Sequence, residues 1–214
     1  MNRYILFFLI LFFFSCSKQS FQVGDIFFQD LDCGAPCQAI EAVTSGYQGA
    51  QLSHCAIITS IGTSNYDTIL TEAIGETVTQ TTLHDFLNRS NKVFVGRLKD
   101  EYQYMIPDAI TYIQTDLNGK PYDYIFDITD DTYYCSEIIY EGLKIADSSQ
   151  ELFSLRPMTF NEPGTDMPFV HWVEYYEDLG HPIPEGELGL NPGGMSRSDA
   201  IEIIHIYEKP TGMY

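Results

Sequence analysis

The sequence predicts a single domain that combines mostly antiparallel β-strands with two longer amphipathic helices. Apolar stretches of strand length follow one another in the first half of the chain, and the loops between them are too short for parallel crossovers. Two later segments carry apolar residues at three- and four-residue steps, which is the spacing of one helix face. The chain has 214 residues, a length that suits one domain with a substantial core.

The strands are expected mainly before residue 100, with a final one near the C-terminus. The second of them is apolar on both faces, which favours a central position in the sheet. A loop at Gly62–Asp67 closes a hairpin between the second and third strands. The expected ranges are Val23–Gln29, Ser53–Thr59, Thr68–Ile74, Thr77–Thr81, Lys92–Leu98 and Ala200–Tyr207.

Four helices are expected, two short and two longer. The short ones fall at Gln38–Thr44 and near Leu83–Asn88. The first longer helix runs from Asp108 to Leu117, where an Asn-Gly-Lys-Pro turn ends it. The second carries its apolar stripe from Cys135 to Ala146.

Residues before and after that last helix are mostly polar. Asp130, Asp131 and Thr132 stand where an N-cap is expected. From Phe153 to Ser198 the chain is rich in Pro, Gly and acids and has little periodicity. We expect surface loops there, some of which line a cleft.

The N-terminus resembles a bacterial lipoprotein signal. Arg3 precedes an unbroken apolar run from Tyr4 to Phe14, which suits a signal-peptide core better than a membrane span. Ser15 and then Cys16 follow, as at a lipobox, and this predicts lipidation of Cys16. We therefore expect a signal peptide at 1–15, a lipidated tether at 16–22 and one domain at 23–214, held by lipid in the bacterial cell envelope, at the outer membrane or periplasm.

Net charge and cysteine content indicate which partners and ligands are not expected. The formal net charge is −19 at pH 7, and such a charge repels phosphate backbones, so nucleic acid is not an expected partner. Cys33 and Cys37 lie close enough in sequence to pair across a short loop or to stay free. No further well-spaced ligands surround them, so neither a metal site nor a cofactor is predicted.

Cys135 is the candidate nucleophile. It falls in the first turn of the second longer helix, where the helix dipole and unpaired backbone N–H groups favour a thiolate. A thiolate there is suited to attack on a carbonyl carbon. The alternative is an inert cysteine buried in an apolar helix.

His54 is the candidate base and Glu72 the acid that orients it. Each is a polar residue in an otherwise apolar strand, and a buried carboxylate needs a partner. Two registers are open: one places His54 opposite Gly75, and a tighter turn places it opposite Glu72. Other candidates also remain open, namely the acids Glu76 and Asp85 and the bases His84, His171, His181 and His205.

Five short motifs occur in a characteristic order between residues 23 and 145. They are Gly24-Asp25-Ile26, Ser53-His54, the Glu72-Ala73 strand, Gly119-Lys120-Pro121-Tyr122-Asp123 and Tyr134-Cys135-Ser136-Glu137-Ile138. With these motifs, residues 23–145 resemble the circularly permuted papain-like amidases of the YiiX/YebB kind, which are relatives of the NlpC-type cell-wall peptidases. In ordinary papain-like enzymes the nucleophile precedes the histidine, whereas here His54 precedes Cys135. Chain order does not affect a triad's geometry.

The resemblance implies an α+β fold, with an antiparallel sheet packed against the nucleophile helix. It also implies a triad of Cys135, His54 and Glu72 and an oxyanion site at the Cys135 backbone N–H. A second donor or substrate contact is expected from among Tyr134, Tyr133 and Ser136.

The expected function is that of a cell-envelope cysteine hydrolase that cleaves an amide bond, with peptidoglycan stem peptides or related cell-wall fragments as substrates. The reaction would pass through a thioester acyl-enzyme. One alternative is an acyl hydrolase or transferase that acts on lipid or N-acyl substrates, which an apolar surface near Phe153-Ser154-Leu155 or Met167-Pro168-Phe169 would favour. Another is a non-catalytic binding lipoprotein.

Overall fold

The computed structural model of the protein describes residues 20–149 and 151–214. The predicted signal peptide, the predicted lipidation site at Cys16 and the first part of the tether lie outside these ranges. Within them, no helix has both the length and the apolar character that a bilayer crossing requires.

A six-stranded antiparallel sheet forms the centre of the molecule, in the spatial order β4-β3-β2-β1-β5-β8. The predicted antiparallel arrangement is confirmed, and β2 is an interior strand as its apolar pattern indicates. The strands are β1 (Ile26–Gln29), β2 (His54–Ser60), β3 (Ile69–Ile74), β4 (Thr77–Thr82), β5 (Val93–Leu98) and β8 (Ile201–Glu208), and a separate short pair consists of β6 (Arg156–Pro157) and β7 (Leu188–Gly189).

The helices cover the sheet and the ends of its strands. Among them, α3 continues through a wider π-turn at Ile113–Leu117, so that the two together span the predicted longer helix. The helices are α1 (Ala35–Val43), α2 (Leu83–Arg89), α3 (Ile106–Tyr112), α4 (Cys135–Ala146), α5 (Val170–Leu179) and α6 (Pro192–Met195).

Apolar side chains project from both faces of the sheet, because successive residues of a strand point to opposite sides. On one face, residues such as Phe28 and Ile57 pack against α3 and α4. On the other, residues such as Phe27 and Ile58 pack against Phe86 of α2. Helix α4, which carries the candidate nucleophile Cys135, is thus held against the sheet, as the resemblance implies.

Two expectations about local structure are wrong. The N-cap of α4 is Tyr134 and not one of Asp130, Asp131 and Thr132, and the Glu137 side chain accepts a hydrogen bond from the Tyr134 backbone N–H. The stretch 153–198 is not all loop, since it contains α5. That helix buries Trp172 and Tyr176 against Phe160, and aromatic packing therefore stabilises a segment whose composition indicates loops.

Two contacts fix the start of the domain. The structure joins Cys33 to Cys37 in a disulfide, which settles the alternative that the sequence leaves open. Asp25, in the Gly-Asp turn before β1, is fully buried and accepts hydrogen bonds of 2.7 Å from Nε and Nη2 of Arg97 on β5. This pair ties two neighbouring strands together.

Gly142 allows α4 to approach α3 closely. A Cβ at this position would lie 2.8 Å from Cδ1 of Ile113 and 3.3 Å from the carbonyl oxygen of Ala109. We expect Gly142→Val to lower the free energy of unfolding by about 2 kcal/mol through overpacking. Denaturant titration checks this value, with Ile145→Val as the control because Ile145 is exposed on the same helix. Equal stability of the two variants would contradict the close approach.

Candidate active site

Cys135 is the first residue of α4, and its side chain lines the large cleft of the molecule. Because it opens the helix, its backbone N–H has no acceptor within the helix. The residue is only 8% exposed. Cys135 therefore lies both at a helix N-terminus and in the wall of the cleft.

His54 and Glu72 form a direct contact beside Cys135. Nε2 of His54 lies 2.6 Å from Oε2 of Glu72, and both residues are buried. Neither predicted partner lies opposite His54, because a bulge at Thr59 shifts the pairing of β2 with β3 by one residue. The pairing of Ile57 with Thr71 leaves Glu72 two positions from the site opposite His54, which is a diagonal contact on one face of the sheet.

The electrostatic surroundings favour an ion pair between Cys135 and His54. Hydrogen bonding from the Cys55 thiol lowers the pKa of Cys135 well below its usual range despite burial, and His54 lowers it further. Burial lowers the pKa of His54, but hydrogen bonds to Cys135 and Glu72 outweigh it and raise the value to about 9. Between these two pKa values the pair exists as thiolate and imidazolium.

Glu72 remains ionised in this site. Burial raises its pKa, but hydrogen bonding to His54, the charge of His54 and the contact with Arg89 lower it to about 2. The anion stabilises the charged imidazole and fixes the ring's orientation.

Cys55, next to His54 on β2, has no counterpart in the sequence prediction. It is fully buried, and burial raises its pKa well above the usual value, with the Cys135 charge as a further cause. It is therefore a protonated thiol beside Cys135, where its hydrogen bonding is the main cause of the lowered pKa of Cys135. Its position directly after His54 is the sequence signal that could have found it.

The three expected oxyanion or substrate residues have different surroundings. Tyr134 and Ser136 both line the cleft, whereas Tyr133 does not. The Tyr134 hydroxyl accepts from the Leu190 backbone N–H at 3.3 Å, and the Ser136 hydroxyl donates to the Leu190 carbonyl at 3.2 Å. The Tyr133 hydroxyl instead lies 3.4 Å from the Asp131 carboxylate.

Tyr122 lines the same cleft as Cys135 and is a candidate that sequence reasoning missed. Burial raises its pKa well above the usual value, and the charge of Cys135 raises it further, which places its hydroxyl in the field of the thiolate. The hydroxyl is therefore protonated and can donate to an oxyanion.

The cleft has a volume of about 830 Å³. Much of its wall comes from the segment 151–200, so the expectation that parts of this segment line a cleft is confirmed. One side is apolar and aromatic, and it includes Ile40, Phe126, Met158, Phe160 and Trp172.

Comparison with known proteins assigns the family. The model of a family described as permuted papain-like amidase enzymes, YaeF/YiiX, C92 family, matches residues 20–205. The chain belongs to this family. The match extends well beyond 23–145 and takes in most of the segment that forms the cleft wall.

One solved structure supports the fold of this permuted papain-like amidase. It is described as the crystal structure of metalloprotein yiiX from Escherichia coli O157:H7. It is 22% identical, with a TM-score of 0.66, and the match covers 88% of this chain and 98% of the other. No match was found among curated proteins.

Family membership makes the chain a cysteine hydrolase, in preference to the non-catalytic binding lipoprotein considered above. The described residues contain no group of three or more His, Cys, Asp or Glu side chains arranged to hold a metal ion.

The structure places the competing acids and bases elsewhere in this amidase. Asp85 accepts from the Thr82 hydroxyl at the start of α2, and His84 stacks on exposed Tyr66. His171 packs beside Trp172, while His205 packs near Phe21, away from the cleft. Glu76 and His181 also lie outside the residues that line the cleft.

Proposed function

We propose that this amidase hydrolyses amide bonds in peptidoglycan stem peptides at the cell envelope, with Cys135, His54 and Glu72 as its catalytic triad. The observation that carries the proposal is the contact of 2.6 Å between His54 and Glu72 beside a cysteine that opens a helix in the cleft. Nucleophile, base and orienting acid then stand in the relation that thiol catalysis needs.

In the acylation step, the Cys135 thiolate attacks the amide carbonyl carbon and a tetrahedral oxyanion forms. His54 donates its proton to the leaving nitrogen, the C–N bond breaks, and a thioester remains on Cys135. Glu72 keeps Nε2 of His54 engaged, so the other ring nitrogen, Nδ1, faces the reacting groups.

In the deacylation step, His54 accepts a proton from a water molecule, and the resulting hydroxide attacks the thioester carbonyl carbon. The C–S bond then breaks, which releases the carboxylic acid and restores the Cys135 thiolate. The oxyanion in both steps is stabilised by the Cys135 backbone N–H. We assign the second donor to the Tyr122 or Tyr134 hydroxyl, because both line the cleft and are kept protonated by burial.

Two arginines in the cleft support the proposal that the substrate carries negative charge. Arg156 and Arg197 line the cleft, and neither forms an ion pair within the described part of the chain. They stand out in a chain of net charge −19. Stem peptides carry free carboxylates, which guanidinium groups recognise through paired hydrogen bonds. Glu151 and Asp199 also line the cleft, which suits a peptide that bears an amino group as well.

The proposed envelope location depends on the N-terminal sequence alone. An apolar run followed by Ser15 and Cys16 supports export and lipid attachment. A lipid-anchored hydrolase would be held near the cell wall, which accords with the proposed substrate.

A second candidate is hydrolysis or transfer of an acyl group from a lipid or N-acyl substrate. The apolar side of the cleft favours it, and Phe153, one of the residues named for this alternative, is buried there. Met167, another of them, is 70% exposed and outside the cleft.

The proposal is tested by incubating purified protein with muropeptides and with N-acyl amino acids and lysolipids of matched concentration. We expect new amino and carboxyl termini from the muropeptides, detected by mass spectrometry. We further expect Arg156→Ala/Arg197→Ala to raise KM about 10-fold or more with little change in kcat, since these residues bind substrate away from the reacting atoms.

Lys99→Ala/Lys209→Ala is the matched control, because these cations are also without ion pairs among the described residues but lie outside the cleft. Cleavage of lysolipids or N-acyl amino acids alone would replace the peptidoglycan proposal with the acyl alternative.

A further inference from the structure

We propose that Arg89 is a positioning residue that holds Glu72 in place behind His54. The proposed array then consists of Cys135, His54, Glu72 and Arg89, in that order from the nucleophile to the positioning residue. The inference rests on the proposed function. It adds a residue that neither the expected triad nor the resemblance includes.

Arg89 contacts both oxygens of the Glu72 carboxylate. Its Nη2 atom donates to Oε1 at 2.8 Å and to Oε2 at 2.6 Å. His54 contacts only Oε2, so Arg89 provides the hydrogen bond that Oε1 receives. Glu72 has no exposed surface, so in the folded chain its carboxylate depends on donors from the protein.

Arg89 is itself held in place by the fold. It is the last residue of α2, where a cation is favoured by the helix dipole. Its guanidinium carbon lies 5.1 Å from the centre of the Phe86 ring, and the His54 ring stacks on the same phenylalanine at 6.0 Å. Phe86 therefore contacts both of the side chains that bind Glu72.

A buried glutamine links the end of α2 to the strand beside His54. Nε2 of Gln29 donates to the backbone carbonyl of Phe86 at 3.1 Å and to that of Ser90 at 2.9 Å. Gln29 is also the β1 residue paired with His54. The position of Arg89 is thus set relative to His54 through the sheet itself.

Loss of Arg89 would affect both the charge and the orientation of the Glu72 carboxylate. The charge of His54 is influenced by Cys135 from α4 and by Glu72 from β3. The charge of Glu72 is influenced by His54 and by Arg89 from α2, while Cys55 from β2 acts on Cys135. With Arg89 removed, a single neutral or charged imidazole would have to compensate a fully buried carboxylate. The carboxylate would then rotate or take up a proton, and His54 would lose its fixed orientation.

The test compares Arg89→Ala and Arg89→Lys with the wild type in the full-length protein. For Arg89→Ala we expect kcat on the cleaved substrate to fall about 10- to 100-fold with KM unchanged, because a small misplacement of the base slows the chemical step. Alkylation of Cys135 by iodoacetamide at pH 6 should slow by about 10-fold or more, because a His54 ring that has lost its fixed orientation pairs less well with the thiolate. Arg89→Lys should recover part of both rates.

Arg97→Ala is the matched control, because Arg97 binds the buried carboxylate of Asp25 in the same sheet, two strands from His54 and outside the residues that line the cleft. It should lower stability without moving the alkylation profile. If Arg89→Ala behaves in the same way, Arg89 is only structural and the inference fails. If wild-type Cys135 itself shows no reactivity at pH 6, the proposed function fails first, and independently of Arg89.

Discussion

Replacing Cys135 with alanine is expected to reduce amide hydrolysis by at least ~10³-fold, because no other thiol is found among the described residues that line the cleft. The fold should be retained, since Cys135 lies at the start of its helix with part of its surface in the cleft. Product formation from muropeptides, measured by chromatography at equal protein concentration, checks the loss. Circular dichroism checks the fold.

Cys55→Ser is the control for this experiment. Cys55 is a neighbouring free cysteine, and serine keeps a hydrogen-bond donor towards the Cys135 sulfur. We expect it to retain activity within about 10-fold of the wild type. Comparable activity of Cys135→Ala and the wild type would refute thiol catalysis by this residue.

Replacing His54 with alanine is expected to slow alkylation of Cys135 at pH 6 by about 10- to 100-fold. In the wild type, the raised pKa of His54, about 9, keeps the imidazolium present at neutral and acidic pH. The thiolate is thereby stabilised down to the lowered pKa of Cys135. Without His54 the thiol needs a higher pH to ionise, so the reactivity profile moves upward in pH.

The measurement is the alkylation rate of each cysteine between pH 5 and 9, with labelled sites identified by peptide mass spectrometry. His84→Ala is the control, because this histidine lies on α2 but makes its contacts with Tyr66 and Asn88 at the surface. A profile for His54→Ala that coincides with that of the wild type would remove His54 from the role of base.

The residue types that carry the chemistry could be recognised from sequence. An acid in an apolar strand, a histidine in another and a cysteine in the first turn of a helix each stand out against their neighbours. Strand alternation also places His54 and Glu72 on the same face as Ile58 and Leu70, and the structure shows that face packed against α2. These features depend on local pattern alone.

Features that depend on tertiary structure could not be predicted from the local sequence pattern. The bulge at Thr59 changes the register by one residue, and no strong local signal marks it. Arg89 ends a short helix and reaches Glu72 only because Gln29 anchors that helix. Helix α5 forms in a segment rich in turn residues because Trp172 and Tyr176 find aromatic partners far along the chain.

The proposed array and much of the cleft wall come from different parts of the chain, and this separation affects how the substrate range of such an enzyme can change. All the residues of the proposed array precede the second turn of α4, whereas much of the cleft wall follows that helix, from Glu151 to Ala200. Insertions and substitutions in the later segment can therefore reshape the bound substrate's surroundings without altering the spacing of His54, Glu72 and Cys135. Relatives that share the catalytic half can acquire new substrates by exchanging this wall.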